Sequence, residues 1–161
     1  MNAITIIDYQ PGHKQYFEKL NREWIEKYFV MEAIDEFVLT NPEEAIIKPG
    51  GAILMALYDG AVAGTVALRK AGESVYEFTK MAVEEKFRRK GIAEALSQAS
   101  LKKAKMLGAS EVILYSNSIL TPAIHLYEKL GFRHVPVGDG DYKRSDVKMT
   151  IAITQTKTVN L

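Results

Sequence analysis

The chain has 161 residues, enough for about one domain, and a domain of that size buries roughly 70% of its unfolded surface. Hydrophobic residues make up 47% and charged residues 25%, with 11 glycines and 5 prolines, which excludes a disordered, collagen-like or linker protein. Its 21 basic and 20 acidic side chains give a net charge of +1, so no bulk field favours nucleic acid or an anionic membrane. The absence of cysteine removes disulfides, thiolate zinc sites, iron–sulfur clusters and a cysteine nucleophile. No apolar run approaches the ~20 residues of a bilayer span, and Met1 to Ile7 lacks the basic start of a secretory signal. The expectation is one soluble, cytoplasmic domain over residues 1–161.

Ile4, Ile6 and Ile7 open a short strand that Gln10-Pro11-Gly12 stops. Phe17, Leu20, Trp24 and Tyr28 then recur at helical spacing among charges, the pattern of an amphipathic helix. A second helix is expected within Met31 to Leu39. A short third one should follow Asn41-Pro42-Glu43-Glu44, which reads as a cap, a proline at the first helical position and acids facing the dipole. It should end by Pro49-Gly50-Gly51. Ala52 to Tyr58 is an apolar strand, Asp59-Gly60 a two-residue hairpin turn, and Val62 to Arg69 its antiparallel return. After Ala71 to Ser74, Val75 to Val83 completes the meander, carrying Glu77 and Lys80 in apolar company that a purely structural strand would not need. A basic loop, Lys86 to Gly91, leads into a helix from Ile92 to Leu107 with apolar residues on more than one face. Val112 to Tyr115 is a buried strand. Thr121-Pro122 should start a helix that Gly131 ends, and Phe132 to Val137 and Val147 to Ile153 form a last strand pair across a polar loop. Thr154 to Leu161 is a polar tail expected to fray.

The passage that carries chemistry is the loop Arg88-Arg89-Lys90-Gly91-Ile92-Ala93 between strand and helix. A helix N-terminus presents unpaired N–H groups and partial positive charge, Gly91 admits close backbone approach, and three cations supply point charges, all suited to a pyrophosphate. Taken alone, the loop reads equally as a solvated basic turn. The P-loop pattern and the dinucleotide fingerprint are both absent, which argues against ATP and NAD in their usual modes.

The order of elements, the R-x-x-G-x-A run at Arg88 to Ala93 and the later Ala123-Ile124-His125-Leu126-Tyr127-Glu128-Lys129-Leu130-Gly131-Phe132 together resemble the GNAT superfamily of acyl-CoA-dependent N-acyltransferases. The resemblance spans essentially the whole chain and is most specific from Tyr76 to Phe132. It implies an α/β (α+β) fold with a mixed, mostly antiparallel twisted sheet of about six to seven strands, flanked by helices, with a splayed strand pair holding the cofactor. It also implies acetyl-CoA as co-substrate, its pyrophosphate on the amides of Arg88, Arg89, Lys90, Gly91, Ile92 and Ala93. The pantetheine arm would then lie along Met81, Ala82 and Val83, between strands Val75–Val83 and Val112–Tyr115, like an added strand.

Glu77 occupies the place where the resemblance implies a catalytic glutamate, and a carboxylate acting directly or through water suits deprotonation of an ammonium; otherwise it is a strand residue paired with a cation. Tyr127 occupies the place of the tyrosine that protonates the departing thiolate, and otherwise is a core aromatic on the stripe of Ile124 and Leu130. Asn117 is a pantetheine contact or a turn-forming asparagine. Nothing links His13, His125 and His134 to a metal or to serine catalysis. Glu32, Asp35 and Glu36 lie where the resemblance implies an acceptor pocket and could attract a cationic amine, but read first as a solvated helix face. The expected function is N-acetyl transfer to a primary amine of a small molecule or amino acid. A non-catalytic acyl-CoA-binding domain of the same fold or a peptide acetyltransferase are the alternatives. The last strand and tail offer an edge for a homodimer.

Overall fold

A computed structural model describes residues 3–138 and 142–154. The centre of the polar loop before the last strand and nearly all of the tail lie outside the described residues. In chain order come β1 (Ile4–Asp8), α1 (Lys14–Tyr28), α2 (Ala33–Thr40), β2 (Ala52–Tyr58), β3 (Ala61–Gly72), β4 (Val75–Val83), α3 (Ile92–Met106), β5 (Glu111–Ser116), α4 (Thr121–Leu130), β6 (Arg133–Val135) and β7 (Val147–Ala152). They build a seven-stranded sheet in the order β1-β2-β3-β4-β5-β7-β6. Every neighbouring pair is antiparallel except β4 and β5, which run parallel from Val75 opposite Glu111 to Phe78 opposite Leu114.

Helices cover both faces, which explains why β2 is apolar without alternation. Its Leu54 and Ala56 join a core with Phe78, Leu114, Leu96 of α3 and Tyr127 of α4. Its Ile53 and Met55 face Phe17 and Ile25 of α1 and Val38 and Leu39 of α2. Gly64 on β3 lets α3 lie close to the sheet: a Cβ there would stand 3.1 Å from the Ala82 carbonyl and from Leu96, and 3.2 Å from Ile92. This approach brings the N-terminus of α3 beside the end of β4.

Local expectations needed adjusting in three places. Asn41 is no N-cap; its side-chain amide turns back to the Phe37 carbonyl and Thr40 Oγ1, closing α2. The segment after it, Glu43–Ile47, is a π-type turn, with the Lys48 N–H reaching Glu43. Thr121 is the first residue of α4 instead of its cap, a position held by Leu120 without a side-chain bond. The last hairpin is shorter than expected because β6 ends at Val135, ahead of Pro136, whose missing N–H cannot continue a ladder.

Candidate active site

Beyond Phe78 and Leu114 the parallel strands β4 and β5 part, and a cleft of about 770 Å³ opens between them, bounded by α1, the start of α3 and α4. At one end lies the loop before α3. Arg89 (φ 63°) and Gly91 (φ 81°) both adopt left-handed backbone, a geometry that gathers successive N–H groups into a concave anion site. Gly91 caps α3 without any side-chain hydrogen bond, and the amides of Gly91, Ile92, Ala93 and Glu94 have no partner among the described residues. Arg88, Arg89, Gly91, Ile92 and Ala93 all line the cleft. Lys90 does not: its ammonium lies 5.0 Å over the Tyr58 ring. Arg88 instead reaches Tyr28 at the end of α1, where its hydrogen bond lowers the pKa of that phenol.

The end of β4 departs from regular strand geometry at Lys80, which holds φ 56°. The ladder with β3 skips there, passing from Ala67 opposite Thr79 to Thr65 opposite Ala82. This is a β-bulge. The Glu84 N–H donates to Ala63 on β3, so strand alternation turns the backbone of Ala82 toward β3 and that of Met81 and Val83 toward the gap beside β5. All three residues line the cleft, yet only Met81 and Val83 offer main-chain groups to a ligand laid along the gap.

Tyr127 enters from α4. Its ring packs edge-on to Phe78 and Phe132, at centroid distances of 5.5 and 6.0 Å, and the residue lines the cleft. The hydroxyl has no hydrogen-bond partner among the described residues, where every fully buried side-chain polar atom is partnered; it therefore reaches the open cleft. Burial raises the pKa of the phenol, so it stays protonated at neutral pH and available as a donor.

Two expected residues are placed differently. Glu77 is buried on the opposite face of β4 from Phe78, 3.5 Å from Arg69 of β3, and is not among the residues lining the cleft. Thr79, two positions on, does line it. Asn117 lines the cleft, but its side chain is held in the protein: Nδ2 donates to the Arg144 carbonyl at 2.7 Å and Oδ1 accepts from the Ile119 N–H at 3.0 Å. This is the turn-forming reading.

A third group was not foreseen as a unit. Asp35, expected on a solvated face, is fully buried. It accepts from Lys80 Nζ at 2.8 Å and from both terminal nitrogens of Arg144 at 2.7 and 2.9 Å. Lys80 also donates to the Tyr142 hydroxyl at 3.2 Å, and Arg144 stacks on the Tyr142 ring. Burial alone would raise the pKa of Asp35, but the hydrogen bonds and charges of Arg144 and Lys80 outweigh it and hold that carboxyl well below the usual carboxylate range. Lys80, Tyr142 and Arg144 line the end of the cleft away from the α3 loop. The one sequence signal for this network was the charge of Lys80 within an apolar strand. Glu36, by contrast, is exposed as expected and paired with Arg22.

The family model described as Acetyltransferase (GNAT) family matches residues 14–132. The chain is 40% identical over 92 residues to the N-acetylaspartate synthetase of Rattus norvegicus, a match covering 56% of this chain and 31% of that protein. It is 34% identical over 140 residues to the N-alpha-acetyltransferase of Saccharolobus solfataricus, covering 70% of this chain and 81% of that one. Among solved structures, a GNAT-family acetyltransferase of Staphylococcus aureus Mu50 superposes with a TM-score of 0.85 at 19% identity, over 94% of this chain and all of that one. YncA of Salmonella typhimurium, solved with its cofactor acetyl-CoA, gives a TM-score of 0.77 at 17% identity over 98% of both chains. The chain belongs to the GNAT acetyltransferase family, and the seven-stranded mixed sheet is the fold of that family. Acetyl-CoA is the cofactor of the family, and the loop amides described above fit its phosphates. No helix among the described residues is long and apolar enough to cross a membrane.

Proposed function

We propose that this protein transfers an acetyl group from acetyl-CoA to a primary amine of a small molecule or amino acid, by direct attack of the amine within the cleft. The observation that carries the reading is the placement in one cleft of the unpartnered α3 amides, the gap-facing main chain of Met81 and Val83, and the Tyr127 hydroxyl. Acetyl-CoA supplies a thioester carbonyl activated toward nucleophiles. The Gly91–Glu94 amides with Arg88 and Arg89 hold its phosphates. Met81 and Val83 bond the pantetheine arm as a strand edge would. Tyr127 Oη donates a proton to the departing sulfur. Glu77 takes the amine's proton through intervening water, because it does not itself line the cleft. Asn117 acts on the site by holding the Arg144 segment, not by touching ligand.

One relative is named for making N-acetylaspartate and the other for N-alpha-acetyl transfer, which supports an α-amine acceptor. A peptide N-terminus is the second reading, favoured by the longer match to the N-alpha-acetyltransferase. The reaction's cofactor supports a cytoplasmic setting. The last strand, β7, lies inside the sheet between β5 and β6 and offers no edge, so it is the short exposed edge strand β6 that supports pairing of two copies, which light scattering tests. A thiol-release assay over a panel of amines, amino acids and peptides tests the activity. Release with any of them above the no-acceptor rate is the expected result. Tight CoA binding with no release across the panel would make the protein a binding domain.

A further inference from the structure

The far end of the cleft is built around a guanidinium that is only partly used. Arg144 has five N–H donors in a fixed plane. Asp35 takes one from each terminal nitrogen, and Glu32 Oε2 takes the second from Nη1 at 3.3 Å. The Nε–H and the outer Nη2–H remain, with no partner among the described residues. These two lie side by side and form the second fork through which arginine binds a carboxylate bidentately. The plane of the guanidinium is fixed by Tyr142 at 4.8 Å and Phe29 at 5.9 Å. Lys80 uses two of its three hydrogens, on Asp35 and Tyr142. Lys80 and Arg144 line the cleft, while Asp35 and Glu32 do not. The other charged residues lining it, Arg88, Arg89 and Glu94, belong to the α3 loop and its helix. Asp35 and Glu32 balance the charges of Lys80 and Arg144, so what this cluster offers the cleft is the unused N–H donors of its two cations.

We infer that this end of the cleft recognises a carboxylate on the acceptor, Arg144 forking onto it with support from Lys80, so that the substrate class is a free amino acid and not a plain amine or a peptide. The inference rests on the N-acetyl-transfer reading. Asp35 serves as the buried counter-anion that holds both cations at fixed positions, so little side-chain order has to be created when the ligand arrives.

The test measures initial rates of thiol release from the parent protein at saturating acetyl-CoA, with L-aspartate, L-alanine, L-asparaginamide, L-alaninamide and an alanine-initiated peptide. The acids should exceed their amides in kcat/KM by roughly 10- to 100-fold, the factor carried by charge-assisted hydrogen bonds. Amidation makes an α-amine less basic and so more often neutral, hence any intrinsic bias runs the other way. Arg144→Lys should lower the acid-to-amide ratio of kcat/KM about tenfold, with CoA affinity by calorimetry unchanged. If that variant fails to fold, Lys80→Met takes its place in the same comparison. Amides or the peptide equalling the acids, or a variant losing acids and amides alike, overturns the inference while leaving acetyl transfer intact. No release with any acceptor overturns the transfer reading itself, and this inference with it.

Discussion

Replacing Asp35 by alanine removes the anion shared by a buried cation, Lys80, and a half-buried one, Arg144. Four hydrogen bonds disappear at once, from Lys80, from both terminal nitrogens of Arg144 and from the Glu32 N–H. The Lys80 side chain is 2% exposed, so its charge is left with the Tyr142 hydroxyl and no carboxylate. Breaking a buried pair from one side costs about 3–5 kcal/mol, chiefly through the uncompensated charge. For a chain of this length that corresponds to a melting-temperature loss of roughly 6–20 °C. Lys80→Met perturbs the same site differently, because methionine fills the space and Asp35 keeps its fork with Arg144. It should cost about 1.5 kcal/mol, the scale of one charged hydrogen bond. Urea titrations followed by circular dichroism give both values, with equal m-values as the check that the unfolded states match. An Asp35→Ala cost within 1 kcal/mol of the Lys80→Met cost would refute the charge-balance argument. Acid supplies an independent readout. The folded-state pKa of Asp35 lies below its unfolded value, so the carboxylate stabilises the fold above about pH 4 and that contribution is lost as pH falls further. Asp35→Ala should lack this component of acid destabilisation.

Tyr127→Phe keeps the ring against Phe78 and Phe132 but deletes the donor; folding and CoA affinity should persist while the single-turnover rate falls by ~10²-fold, and an unchanged rate retires Tyr127 as the acid. Gly91→Pro removes an unpartnered amide and cannot hold φ 81°, so calorimetry should show a larger loss of CoA affinity than for Arg89→Ala; parent-like binding by Gly91→Pro counts against the loop assignment. Glu77→Gln should slow turnover by roughly 10²-fold at neutral pH, with part of the rate returning at high pH where the amine is already neutral; a rate within twofold of parent leaves Glu77 as the partner of Arg69 alone.

The meander, the α3 loop and the α4 helix were legible because each is written in neighbouring residues. The Asp59-Gly60 turn, the glycine ahead of Ile92 and the run around Tyr127 set local geometry wherever they occur. Asp35, Lys80 and Arg144 are separated by 45 and 109 positions in the contacts that unite them, and no periodicity records such an approach. Asp35 also looked solvated, since its neighbours Glu32 and Glu36 share the acidic character of a helix face. What differs is that Asp35 lies on the inner side of α2, a fact fixed only when β4 and the Arg144 segment close over it. Glu77 misleads in the opposite sense: it stands where the resemblance implies a glutamate, but it lies two residues short of Thr79, the first residue on its face of β4 to line the cleft, and is paired with Arg69.

The short parallel pairing of β4 with β5 divides the sheet mechanically. Among the described residues, four residue pairs, Val75–Glu111 to Phe78–Leu114, extended at one end by the Ser110 and Glu111 N–H groups on the Ser74 carbonyl, form the backbone seam between the β1–β4 half and the β5–β7–β6 half. Each half is otherwise knitted internally by antiparallel ladders, all longer than this seam except the three-pair ladder of β6 with β7. A ligand strand lying on Met81 and Val83 would extend that seam with its own hydrogen bonds and tie the halves along a greater length. Ligand binding should therefore slow amide exchange not only at Met81 and Val83 but across β5 and β7, which no ligand atom needs to touch, by raising the free energy of separating the halves.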